Sequence, residues 1–163
     1  MTPVSKLARY KRWADALMLA DIAAVPHEES ILTRPTRWEN MIRTINHVRV
    51  VDDLFRAHLT GSAHPYTYRN TDETPPLSEL RDMMAGLDDW YVEYADGLDA
   101  SAEEVVRFRF LDGGEGALTR EEMILHVVNH ATYHRGLVSD MMYQAGRVPS
   151  TNDLPVFLAN AAG

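Results

Sequence analysis

Apolar positions recur every three to four residues along four long segments of this chain, the period of helices that bury one face. In the first, Leu7, Tyr10, Trp13, Ala14, Leu17 and Ala20 follow Thr2-Pro3, with proline at a first-turn position, and the pattern runs to about Ala24 before Pro26. In the second, Met41, Ile45, Val48, Val51, Phe55 and Leu59 keep the period up to Gly61, a suitable C′ residue. Thr36-Arg37-Trp38-Glu39 matches a capping box, so this helix is expected to open at Thr36. The third carries Leu80, Met83, Met84, Leu87, Trp90, Tyr91 and Tyr94 on its apolar side and ends near Gly97. Its internal Gly86 costs about 1 kcal/mol against alanine. The fourth opens at a second capping box, Thr119-Arg120-Glu121-Glu122, and runs to about Ala145, where Gly146 and Pro149 stop it.

The connecting segments are equally legible. Residues 62–76 contain Pro65, Pro75 and Pro76, several turn formers and no period. A loop of that length in a compact domain is more often a lid or pocket rim than a spacer. Val105 to Leu111 alternates, with Val106, Phe108 and Phe110 against Arg107 and Arg109, and Asp112-Gly113-Gly114 is a turn signal. Leu154 to Leu158 is a short apolar piece expected to pack across the helices. There is no repeat or linker. The prediction is one domain over 1–163, all-α, a four-helix bundle with a short strand or hairpin between the third and fourth helices.

Composition narrows the chemistry. The 163 residues, 45% hydrophobic and 25% charged, suit one globular domain. A formal charge of -8 argues against a nucleic-acid partner, whose phosphates are held largely by Lys and Arg. The absence of cysteine removes disulfides, thiolate ligands, iron–sulfur clusters and a cysteine nucleophile. The apolar run Ala16-Leu17-Met18-Leu19-Ala20 is bounded by Asp15 and Asp21, too short for a signal-peptide core or a membrane span. No membrane partner and a cytoplasmic location are expected.

Candidate chemistry concentrates in HVVNHATYHRG, where His126, His130 and His134 stand four residues apart. On a helix they form one stripe. Neighbouring rings can close on one metal ion, but the outer two lie roughly 12 Å apart along the axis and cannot share it. Met123, Val127, Val138 and Met141 lie on the same side or its flanks, so the rings are expected to face the core, where unpartnered imidazoles are costly. His47 supplies a third candidate. Counted from the two capping boxes it is about 11 residues in, against about 11 for His130 and 15 for His134, or ~16, ~16 and ~22 Å. In an up-down-up-down bundle the second and fourth helices start at the same end, so His47 can meet the stripe. Depth does not choose between the pairs His126/His130 and His130/His134. His27, His58 and His64 read as solvent-exposed, and Asp15, Asp52 and Asp53 are candidates to orient ligating imidazoles from behind.

These pieces together resemble the DinB family of DinB/YfiT-like proteins over nearly the whole chain. Tyr10-Lys11-Arg12-Trp13-Ala14 is similar to the family's first-helix signature, and Asn46-His47 with Asp52 and Gly61 to its second-helix block. His130-Ala131-Thr132-Tyr133-His134-Arg135-Gly136 is similar to its HxxxHRG block. Leu137 departs from the glutamine that often follows. The resemblance implies a divalent metal, commonly zinc or nickel, held by His47, His130 and His134, with His126 lining the pocket or standing behind the ligands. It also implies a homodimer.

Three imidazoles leave positions open for water or substrate, the arrangement of a catalytic site. Characterised branches of the family are similar to thiol transferases, so the resemblance implies a metal-dependent enzyme on a small-molecule substrate, with a low-molecular-weight thiol as cosubstrate. A metal-dependent hydrolase is the second expectation, although HExxH is absent and no Glu is placed as a general base. A non-catalytic metal-binding stress-response protein is the third.

Overall fold

A computed structural model describes residues 1–161. Four long helices form the bundle: α1 (Pro3–Ala24), α3 (Met41–Thr60), α4 (Leu77–Gly97) and α5 (Arg120–Gln144). A single turn, α2 (His27–Ser30), follows α1, and α6 (Leu154–Ala161) closes the chain. The strand-like alternation becomes a hairpin, β1 (Val105–Arg109) with β2 (Glu115–Thr119), antiparallel and pairing Phe108 with Gly116. That pairing explains the glycine, since a Cβ there would fall 2.5 Å from the Phe108 ring. Among the described residues no helix is long and apolar enough to cross a membrane.

The helix starts follow local chemistry in three cases. Thr2 caps α1 by accepting from Ser5 N–H, Asn40 caps α3 by accepting from Arg43 N–H, and Thr119 with Glu122 forms the expected capping box on α5. The Thr36 box does not form. Residues 36–39 make a tight turn in which Glu39 has φ 67°, and the cap of α3 falls at Asn40, four residues later than the motif suggested. Trp38 is buried against His47, and that contact holds the segment before α3 out of helical register.

Topology also departs from expectation. Arg9 pairs with Asp96 and Arg12 with Asp89, so α1 and α4 are antiparallel. His47 meets His130 and His134 while Phe55 meets His126, so α3 and α5 are antiparallel too. One half of the core joins the N-terminal parts of α1 and α5 to the C-terminal parts of α3 and α4, and the other half joins the opposite parts. The order is therefore up-down-down-up, and the segment after Gly61 must travel the length of the bundle to begin α4. His47 lies seven residues past its true cap at Asn40, and His134 ten residues before the end of α5. The two corrections offset one another, and the rings meet. α6 lays Phe157 against Tyr10 and Trp13, as expected of the apolar tail.

The core is not wholly apolar. Lys11, 1% exposed, places Nζ 2.8 Å from Asp15, 2.7 Å from Asp52 and 2.6 Å from Asp88. Arg135 of α5 adds a second cation, donating to Asp15 Oδ1 at 2.5 Å. Three carboxylates thus share two cations, all of them buried. Burial disfavours ionisation of all three, but Lys11 and Arg135 together overcome it at Asp15, whose pKa is lowered. At Asp52 and Asp88 burial wins, raising them to about 7 and about 6.

Replacing Lys11 with methionine should cost ~3–5 kcal/mol at pH 7.5, because it leaves buried carboxylates without their cation. The folded pKa values of Asp52 and Asp88 lie above the ordinary 3.8, so between about pH 4 and 7 the folded state holds more protons than the unfolded one. Stability from these two groups therefore grows as pH falls through that window. Urea denaturation of wild type and Lys11→Met at pH 7.5 and 5.5 checks this: the deficit should shrink at the lower pH.

Candidate metal centre

His47 sits on the inward face of α3, in a run from Thr44 to Asp52 buried throughout. His130 and His134, one turn apart on α5, face it. Ring centroids are 4.9 Å apart for His47 and His130, 4.6 Å for His47 and His134, and 4.5 Å for His130 and His134. The Nε2 atoms of His47 and His130 are 3.1 Å apart. Each of the three rings offers one nitrogen within 4.8 Å of the others.

The proton positions follow from partners. His47 Nδ1 lies 2.5 Å from the carbonyl oxygen of Arg69, which can only accept, so Nδ1 carries the hydrogen and Nε2 presents a lone pair. Burial lowers His47 to about 4, with the nearby guanidiniums of Arg69 and Arg37 adding to the effect. Burial likewise lowers His134 to about 4 and His130 to about 2, with neighbouring histidines contributing. All three are neutral near pH 7, the form that ligates metal.

Those residues fit a divalent ion. One hydrogen bond between His47 and His130 would leave His134 unengaged, and the buried Nδ1 atoms of His130 and His134 have no partner. Two nitrogens bound to one tetrahedral zinc stand ~3.3 Å apart, close to the separation already present. A second cluster, Asp15, Asp52 and Asp88, has comparable spacing but already surrounds the Lys11 ammonium.

The surroundings correct one expectation and complete others. None of Asp15, Asp52 or Asp53 supports a histidine: the first two serve Lys11, and Asp53 accepts from Arg56 and from the Tyr66 hydroxyl. The support for His47 is a backbone carbonyl from the long loop. Arg135, beside His134, turns away to Asp15. Trp38 stacks on His47 with centroids 4.1 Å apart and planes 22° apart, closing one side. His126 stays outside the triad, its ring tilted against Phe55 with centroids 4.4 Å apart. His27 is exposed as expected, whereas His58 and His64 are half-buried, His58 stacking on Phe108.

Beside the cluster lies a cleft of about 410 Å³. Its walls are largely apolar, with Val51, Leu54 and Phe55 from α3 and Phe110 and Leu111 from the hairpin, while His126 and His130 line it from α5. Thr67, Tyr68 and Arg69 complete its rim, so of the lid or pocket rim that its length suggested, the loop over 62–76 supplies a rim. Trp38 and Arg69 were not marked as site residues in the sequence. Trp38 had a weak signal, a large aromatic three residues before Met41 and in phase with the apolar positions of that helix, and Arg69 had none, because it acts through its main chain.

A sequence model of the DinB family matches residues 1–162. The chain belongs to the DinB family. Protein DinB of Bacillus subtilis (strain 168) is 23% identical over 159 residues, a match covering 94% of this chain and 92% of that protein. The histidine cluster of this DinB-family chain is thus a group that could hold a divalent metal, with His130 in the wall of an open cleft.

The stacking supplies a direct readout. Binding of Ni²⁺ or Cu²⁺ at His47 should quench Trp38 emission. In a fluorescence titration, Trp38→Phe, which retains Trp13 and Trp90, should lose most of that response.

Proposed function

We propose that this chain is a metal-dependent enzyme acting on small molecules, with His47, His130 and His134 as the metal ligands and thiol transfer as the reaction. The observation that carries this reading is the convergence of three neutral imidazoles, His47 and His134 buried and His130 half-buried, beside a largely apolar cleft that His130 itself lines. A three-imidazole donor set suits zinc or nickel. When bound, such an ion supplies a positive charge that lowers the pKa of a ligating thiol. The chain's own residues do the rest. The Arg69 carbonyl holds the His47 tautomer, Trp38 shields one face from water, and the apolar walls receive an electrophilic substrate. With no cysteine in the sequence, the nucleophilic thiol comes from a second small molecule.

One observation favours this over hydrolysis. A hydrolase needs a base beside the metal, and the carboxylate lining the cleft, Asp112, accepts from Gly114 N–H within the hairpin turn.

Elemental mass spectrometry on untagged protein should find about one divalent ion per chain, lost in His47→Ala, His130→Ala and His134→Ala. The metal-loaded wild type should then transfer a low-molecular-weight thiol to electrophilic substrates. No metal after reconstitution with zinc or nickel sinks the three-ligand site. Metal without thiol transfer sinks the reaction class and leaves the site standing.

A further inference from the structure

The chain carries a formal charge of -8, and among the described residues eight arginines, Arg9, Arg12, Arg34, Arg43, Arg56, Arg109, Arg120 and Arg135, pair with a carboxylate. Arg49, Arg81, Arg107 and Arg147 do not, nor do two arginines that lie together beside the histidine cluster. Among the described residues, neither Arg37 nor Arg69 has a carboxylate within 4.0 Å. Both are exposed. Arg69 lines the cleft. The Arg37 guanidinium lies 5.2 Å from the centre of the Trp38 ring, on the residue that itself stacks against His47. It also donates to the hydroxyl of Tyr68, a second cleft residue, at 3.4 Å. Both guanidiniums act on His47 as nearby positive charges.

In an acidic protein, two uncompensated cations at one mouth are a local reversal of the field. A guanidinium presents a planar fork of donors that matches a carboxylate, and here Arg69 lines a cavity whose walls are mostly apolar while Arg37 is bonded to Tyr68 of the same lining. Asp112 is the opposing charge on the cleft, and its Oδ1 is engaged by Gly114 N–H.

We propose that Arg37 and Arg69 form an anion-recognition site at the cleft mouth, selecting a small molecule that joins an apolar body to a carboxylate. This rests on the cleft being the substrate site. The arginines belong to the polypeptide, so selection should already be present in metal-free protein, which separates its failure from failure of the metal reading.

The carboxylate could sit on the electrophile or on the thiol, and paired probes distinguish them. On metal-free protein, calorimetric titration compares 3-phenylpropionate with the uncharged 3-phenyl-1-propanol. On zinc-loaded protein, it compares 3-mercaptopropionate with 3-mercapto-1-propanol. In at least one pair the carboxylate should bind more tightly. Its advantage should fall about threefold in Arg37→Gln and in Arg69→Gln, vanish in the double variant, and weaken as salt is raised. Arg81→Gln, an exposed position on α4, should leave it unchanged. Loss confined to the phenyl pair assigns the anion to the electrophile, and loss confined to the mercapto pair assigns it to the thiol. No carboxylate preference in either pair, or a preference that survives the double variant, overturns the proposal. Folding of these surface variants is checked by their far-UV circular dichroism.

Discussion

The Lys11 ammonium, held among Asp15, Asp52 and Asp88, is the constraint on which the arrangement of helices depends. It joins α1, α3 and α4 at one point, and Arg135 ties α5 to the same carboxylates through Asp15. Apolar faces alone tolerate small rotations and slips between helices, because dispersion and hydrophobic burial have little direction. Buried ions do not, since each lost contact leaves a charge without water. Arg135 follows His134 directly, and successive helical residues point about 100° apart. Aiming Arg135 at α1 therefore helps aim His134 at α3, where His47 stands. The ion network and the histidine cluster are separate in chemistry and linked in geometry.

The second constraint is the long return from α3 to α4. An up-down-down-up order obliges that segment to run back along the bundle, and the protein uses the passage twice. The Arg69 carbonyl fixes the His47 tautomer, while Thr67, Tyr68 and Arg69 shape the cleft rim. Asn70 anchors the same stretch, donating to the Arg43 carbonyl and accepting from Asn46, one residue from His47. Neutral rings on one side and apolar walls on the other produce a place where charge interactions are little screened. This is the physical basis for reading the cleft as a reaction site.

Much of this was legible in order of residues. Helical periods located all four long helices, the Thr119 box located the start of α5, and alternation located the hairpin, because these features are decided by neighbours within a few residues. The Thr36 box misled for the complementary reason. Its four residues satisfy a local rule, but burying Trp38 against His47 depends on a residue nine positions away, and that contact is made instead. Asp15, Asp52 and Asp53 were candidates to support the histidines; Lys11 at Asp15 and Arg56 at Asp53 stand one turn away on the same helices, whereas Lys11 at Asp52 and Arg135 at Asp15 become neighbours only after the helices pack.

The sequence by itself determined the helices, the stripe on α5 and the acidic, cysteine-free character that limits the chemistry. Each depends on side-chain type and spacing along one segment, and those survive any choice of packing. Tertiary structure alone decided the direction of each helix, the placing of Arg69's carbonyl on His47, and the company of two unpaired arginines at the cleft. These depend on distances between segments far apart in the chain. The resemblance to the DinB family had indicated which three histidines meet, while helical depth had reached His47 only through a start and a topology that were both displaced. The meeting itself is a property of four helices locked around a buried ammonium.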